Sequence, residues 1–105
     1  MVSAEDPCQD LRRRFVRSFL DITILNMLSG ESLWGYKMMA ILKDKYGVKV
    51  GPPVIYPLLD SMEAEGLVDS REIYEGKRRR KVYSSTKKGI EHLKCVQNIL
   101  REMET

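Results

Sequence analysis

Apolar residues recur three or four apart along much of this chain, the spacing of one face of an α-helix. In the first such stretch Leu11, Phe15, Phe19, Ile22 and Leu25 or Asn26 mark one face, and Leu20, Ile24 and Leu28 mark a second. The pattern predicts one helix over residues 10–29, stopped by Gly30. A helix apolar on two sides needs two partners. In so short a chain the second partner is expected to be another copy of the chain. Ser32 is placed to cap the next helix, over residues 33–46, with Tyr36, Met39, Ala40 and Leu42 or Lys43 as its inward stripe and Gly47 as its end. Residues 48–50 read as an extended link. Gly51-Pro52-Pro53 then turns into a third helix over 53–65, since a first-turn N–H has no intrahelical partner to lose. Pro57 is expected to bend that helix. Ile55, Leu58, Leu59, Met62 and Leu67 form its buried side.

The pattern then changes to strand-like. Residues 67–74 carry Val68, Ile73 and Tyr74 among polar neighbours, and residues 79–85 carry Val82 and Tyr83. Glu75-Gly76-Lys77-Arg78 is the turn between them, so the segment reads as a β-hairpin, with Tyr74 and Tyr83 expected to pair across it. Ser85 or Thr86 caps a last helix running to Glu104. Leu93, Val96, Leu100 and Met103 are spaced three, four and three, a short coiled-coil-like seam. Such a helix is about 28 Å long, more than a small domain covers alone. The predicted order is α-α-α-β-β-α, mainly α with a small β-hairpin. Residues 1–9 are read as a flexible terminus, 10–85 as the folded domain and 86–105 as a dimerisation helix.

Composition narrows the class. A chain of 105 residues supports one core, and 43% hydrophobic with 31% charged residues is the balance of a globular domain. The net charge of +3 decides little, but its distribution does. Seven Lys or Arg and no acid lie between Gly76 and Gly89. Such clustering makes a local field. Cys8 and Cys95 have neither disulfide-framework nor zinc spacing and read as free thiols. No secretory pattern opens the chain, and the apolar stretch 15–28 is interrupted by Arg17, Ser18, Asp21, Thr23 and Asn26. The expected compartment is the cytoplasm. With one His, no paired nucleophile, no Gly-rich phosphate loop and no metal-ligand spacing, no catalytic residue, metal site or cofactor is expected. His92 reads as a surface or interface residue, and Met38 and Met39 as packing residues.

Three compact helices followed by a basic hairpin form a winged helix-turn-helix, a solution for reading double-stranded DNA. The second helix braces the third, whose N-terminal half enters the major groove. The wing, residues 75–81, lies along the backbone or enters the minor groove. Its cations are Lys77, Arg78, Arg79, Arg80 and Lys81. Strand alternation puts Arg78 and Arg80 on one face and Arg79 and Lys81 on the other, so about half are expected to reach DNA. A run of charge is usually just a solvated turn, but five consecutive cations exceed what solubility needs. Arg12, Arg13, Arg14 and Arg17 form a second cluster, either a further DNA contact or a solvated helix start.

Leu33-Trp34-Gly35-Tyr36-Lys37-Met38, then Pro52-Pro53-Val54-Ile55-Tyr56-Pro57-Leu58-Leu59, then Leu67-Val68 after Glu65-Gly66, and finally Arg80-Lys81-Val82-Tyr83-Ser84-Ser85-Thr86-Lys87-Lys88-Gly89 resemble the PadR family of transcriptional regulators. The likeness spans residues 18–94 and is closest to shorter members with a single C-terminal helix. It implies a homodimer formed through the first and last helices, with Phe15, Phe19, Ile22, Leu93, Val96, Leu100 and Met103 at the interface. It also implies repression at inverted-repeat operators and contact with DNA by Tyr36 or Tyr56. Two positions depart from the family pattern. Pro53-Val54 replaces Gly-Thr, so Val54 offers only apolar contact, as to a thymine methyl. Trp34 replaces a His and is read as a packing residue whose indole N–H finds a partner. The alternatives are a non-specific architectural DNA-binding protein and a winged-helix module for protein–protein interaction. The operator, the regulated gene and any small-molecule effector are not legible in the sequence.

Overall fold

The structure, a computed structural model, describes residues 7–104. Its elements are α1 (Pro7–Ser18), α2 (Leu20–Leu28), β1 (Leu33–Trp34), α3 (Gly35–Tyr46), α4 (Pro52–Ala64), β2 (Val68–Glu75), β3 (Arg78–Ser85) and α5 (Lys87–Glu104). This is the helix and strand order expected, with two additions.

The first addition is a break. The helix expected over 10–29 is two helices, divided at Phe19, whose φ of −121° and ψ of 48° are not helical. Hydrogen bonding runs on across the break, Phe19 N–H to the Phe15 carbonyl at 2.9 Å and Thr23 N–H to the Phe19 carbonyl at 3.0 Å. The Thr23 hydroxyl donates to that same Phe19 carbonyl at 3.0 Å, a back-bond of the kind that bends helices. The helical start also moves forward, from Asp10 to Pro7. The terminus expected to fray thus loses residues 7–9 to α1, and residues 1–6 lie outside the described residues.

The second addition is β1. Ser32 does not cap a helix. Its hydroxyl sits 2.7 Å from that of Ser84, and Leu33 and Trp34 pair with Tyr83 and Val82. The sheet is therefore three-stranded and antiparallel, in the order β1-β3-β2. Helix α3 begins only at Gly35, and its inward face is Gly35, Met38 and Leu42. Tyr36, expected on that face, is 76% exposed. Two residues are too few to show a strand period, and the true start of α3 rotates the stripe.

Helix α4 buries Ile55, Leu59 and Met62 as its spacing predicts, and it continues through Pro57. In the hairpin Glu75 opposes Arg78, closing a two-residue Gly76-Lys77 turn. That register sets Tyr74 opposite Arg79 and Tyr83 opposite Ser70, so the expected tyrosine pair does not form. Tyr83 is buried instead, in a core with Ile24, Leu25, Met38, Leu42, Val48, Ile55, Leu59, Met62 and Val68. Each such side chain contributes about 1.5–3 kcal/mol by leaving water.

One motif locks α5 onto this core. The Thr86 hydroxyl donates to the Gly66 carbonyl at 2.6 Å and accepts the Gly89 N–H at 3.0 Å, which caps the helix as expected. Lys88 Nζ donates to the Glu65 carbonyl at 2.7 Å, at the end of α4. Gly89 itself lies against the Leu67 carbonyl and the Leu25 side chain, leaving no room for a Cβ.

Candidate nucleic-acid interface

The site begins with the shortness of β1. It pairs only with Val82 and Tyr83, so the edge of β3 over residues 78–81 is left uncovered on that side. The chain turns at Trp34 into α3, whose second residue, Tyr36, points outward. Tyr56 of α4 reaches the same place because Gly35 has no side chain. A Cβ there would stand 2.7 Å from both Cε1 and Oη of Tyr56. The result is a cleft of about 490 Å³ lined by Trp34, Tyr36, Tyr56, Arg78, Arg79, Arg80 and Lys81. Six of these seven were candidates from sequence, and the cleft brings them together. Trp34 is the residue that sequence reasoning assigned elsewhere.

The cations are not equivalent. The register puts Arg78 and Arg80 on one face with Trp34 and Glu75, and Arg79 and Lys81 on the other with Glu72 and Tyr83, the alternation expected of a strand. Arg80 lies 4.7 Å above the Trp34 ring, and its Nε is 3.4 Å from Glu75. So the Trp34 indole, 36% exposed, carries a guanidinium on its face, a contact that sequence did not reveal. Arg79 pairs with Glu72 at 3.5 Å. Lys81 pairs with Glu63 of α4 at 3.6 Å, and Glu63 also accepts the Ser70 hydroxyl at 2.6 Å. Among the described residues, Lys77 and Arg78 have no carboxylate partner. Tyr83 foremost, then Glu63 and Asp60, raise the Lys81 pKa above its ordinary value. Burial raises that of the Tyr83 phenol. Near neutral pH Lys81 is therefore a full cation and Tyr83 is neutral.

Pro53 and Val54 stand at the head of α4, outside the cleft. Both are exposed, Val54 by 51%. A second hollow borders the start of the helix, lined by Tyr36, Lys43, Asp44, Lys49, Gly51 and Pro52 among others. Tyr36 belongs to both hollows. The start of α4 thus has Lys43, Asp44 and Lys49 around the hollow at Pro52, and the wing cations around the cleft at Tyr56. Sequence reasoning missed Lys43 and Lys49, because an isolated lysine at a helix end or in a link carries no pattern. The arginines of α1 do not line the cleft. Arg12 lines a different groove, and Arg13 lies over Gly47.

That other groove, of about 680 Å³, is apolar. Leu11, Phe15, Phe19, Ile22, Leu93, Val96 and Leu100 line it between the first two helices and α5. Leu93 is buried at 8% exposure, while Phe15 and Phe19 are about half exposed, their rings 4.8 Å apart. Met103 lies beyond the groove, 78% exposed. His92, Cys8 and Cys95 are exposed. Among the described residues no group of acids, His and Cys could hold a metal ion, and no helix is long and apolar enough to cross a membrane.

Comparison with known proteins agrees with this geometry. The profile of the "Transcriptional regulator PadR-like family" matches residues 24–95. The transcriptional regulator Rv3488 of Mycobacterium tuberculosis is 28% identical over 95 residues, covering 87% of this chain and 88% of its own length. The crystal structure of a PadR family regulator from Eggerthella lenta superposes with a TM-score of 0.76 at 29% identity, covering 90% of this chain and 79% of that one. Bacillus subtilis PadR, solved in complex with operator DNA, superposes with a TM-score of 0.71 at 27% identity, over 75% of this chain and 46% of that one.

Proposed function

Because the chain belongs to the PadR-like family of transcriptional regulators, we propose that it acts in the cytoplasm as a homodimeric repressor at an inverted-repeat DNA operator. The head of α4 enters the major groove, and the wing lies on the adjacent backbone. The observation that carries this reading is the cleft in which Trp34, Tyr36 and Tyr56 face residues 78–81, four consecutive cations. Cations neutralise phosphates and release counterions, while aromatic and apolar groups approach the sugar and base edges. The operator-bound relative of the same fold supports the DNA partner. The open apolar groove supports the dimer, since exposed rings such as Phe15 and Phe19 gain most from a second copy. A two-fold dimer presents two α4 helices to half-sites about 34 Å apart, one turn of DNA.

The test is titration of the protein into duplex from its own promoter and into random duplex, at two salt concentrations, with light scattering on the free protein. The expected result is a dimer that prefers the promoter and loses affinity steeply with salt. Equal salt-sensitive binding to both duplexes would replace the regulator with an architectural DNA-binding protein. Binding to neither would leave a protein-interaction module.

A further inference from the structure

We infer that this protein reads its DNA through the C5-methyl groups of thymine, with Val54 as the specificity-determining residue. This rests on the DNA-binding reading above. Three observations lead to it. The first concerns donors. Pro52 and Pro53 open α4 and have no N–H. The next two amides, Val54 and Ile55, both donate to the Gly51 carbonyl, at 3.0 and 3.1 Å. The leading turn therefore has no spare backbone donor for a base edge.

The second concerns side chains. Over the first two turns of α4 the exposed residues are Pro52, Pro53, Val54, Tyr56 and Pro57. Only Tyr56 is polar, and its Oη lies over Gly35, in the cleft rather than at the tip. Val54, 51% exposed, is the foremost branched apolar group. The third is charge. Lys43 and Lys49, together with the opposite charge of Asp44, line the hollow that Pro52 borders, and residues 78–81 line the cleft that Tyr56 borders, so cations stand near both ends of the first turn of α4. Phosphates on both sides of a groove fit that arrangement, and they set the tip against the base edges between them. In the major groove the one apolar feature that differs among bases is the thymine methyl. An isopropyl side chain in contact with it gains the burial of a methyl and makes no hydrogen bond. Cytosine and uracil lack that methyl, so they are discriminated against by the missing contact.

The experiment keeps the protein intact and changes the DNA. Duplexes that bind the full-length protein are selected from a randomised library. Each thymine of the selected duplex is then replaced singly by deoxyuridine, which removes only the methyl. At one or more thymines per half-site, affinity is expected to fall about fourfold, the worth of one methylene-sized group leaving water. In Val54→Ala the same replacements should cost less than twofold. Because Val54 is half exposed, that variant should fold, which its thermal melt checks. If the wild type prefers its selected duplex over random DNA yet binds every uracil version equally well, the methyl readout is wrong and the regulator reading stands. If the uracil penalty persists in Val54→Ala, another residue reads the methyl and the assignment to Val54 falls. If no duplex is enriched, the sequence-specific reading fails, and this inference with it.

Discussion

Two glycines and one tryptophan carry more of this molecule than their size suggests. Gly89 is where α5 touches the core, against the carbonyl of Leu67 and the Leu25 side chain. A methyl there meets backbone, which cannot move aside as a side-chain tip can. Gly89→Ala should therefore lose about 1–3 kcal/mol, the range for overpacking a filled core. The midpoint of denaturant unfolding measures it, and an unchanged midpoint would mean that α5 can slide. Gly35 differs, because what it accommodates is the mobile end of the Tyr56 ring. Trp34 is the chain's one tryptophan, with Arg80 4.7 Å above its ring. Its emission therefore reports on the cleft directly. Binding of duplex DNA should change that emission, and Arg80→Ala should change it in the free protein. Saturating DNA binding with no change in emission would place the DNA away from the cleft.

At the scale of the element, the wing has more cations than free charge. Arg79, Arg80 and Lys81 each have a carboxylate within 3.6 Å. These pairs are exposed or partly exposed and individually weak, so phosphates can displace them. Lys81 is the exception in kind, because its partner Glu63 also holds Ser70 and ties the wing to α4. The double variant Arg78→Ala with Arg80→Ala should flatten the slope of log affinity against log salt by about 1.8, two phosphate contacts at roughly 0.9 each. Lys81→Ala should leave that slope nearly unchanged. Binding isotherms across a salt series separate the two, and a loss of about 0.9 in the slope for Lys81→Ala would make Lys81 a phosphate contact after all. The two-residue turn keeps the hairpin straight to its tip, with Glu75 opposing Arg78. That geometry is what holds Lys77 and Arg78 outward.

For the whole molecule, the open groove is the deciding feature. Residues of α1, α2 and α5 line it, and several of its apolar side chains stay largely exposed: Leu11 56%, Phe15 53%, Phe19 45% and Leu100 43%. In Phe15→Asp with Leu100→Asp both changes fall on exposed positions, so the fold of each protomer should survive. The proposed dimer should not. The dimer would lose four such side chains, two from each protomer, each worth about 1.5–3 kcal/mol when fully buried, so the dissociation constant should rise by well over roughly a hundredfold. Sedimentation or light scattering reads the result, and a variant that stays dimeric would move the interface elsewhere. On the proposed dimeric reading, a monomeric variant should also bind DNA far more weakly, since it holds one half-site at a time.

Much of this was determined by local pattern. The rear face of α4, the basic hairpin and the Thr86 cap all follow from spacing, because helices and hairpins are built from neighbours in sequence. The alternation of Arg78 and Arg80 against Arg79 and Lys81 follows from the same rule. Tertiary structure decided the rest. Leu33 and Trp34 become a strand only because β3, some fifty residues later, offers them a partner. That pairing delays the start of α3, turns Tyr36 outward and, being only two residues long, leaves the edge of β3 open over residues 78–81. Contacts between side chains far apart in sequence leave no period to read, so the ring of Trp34 under Arg80, the fit of Tyr56 against Gly35 and the tether from Lys81 to Glu63 existed only once the chain was folded.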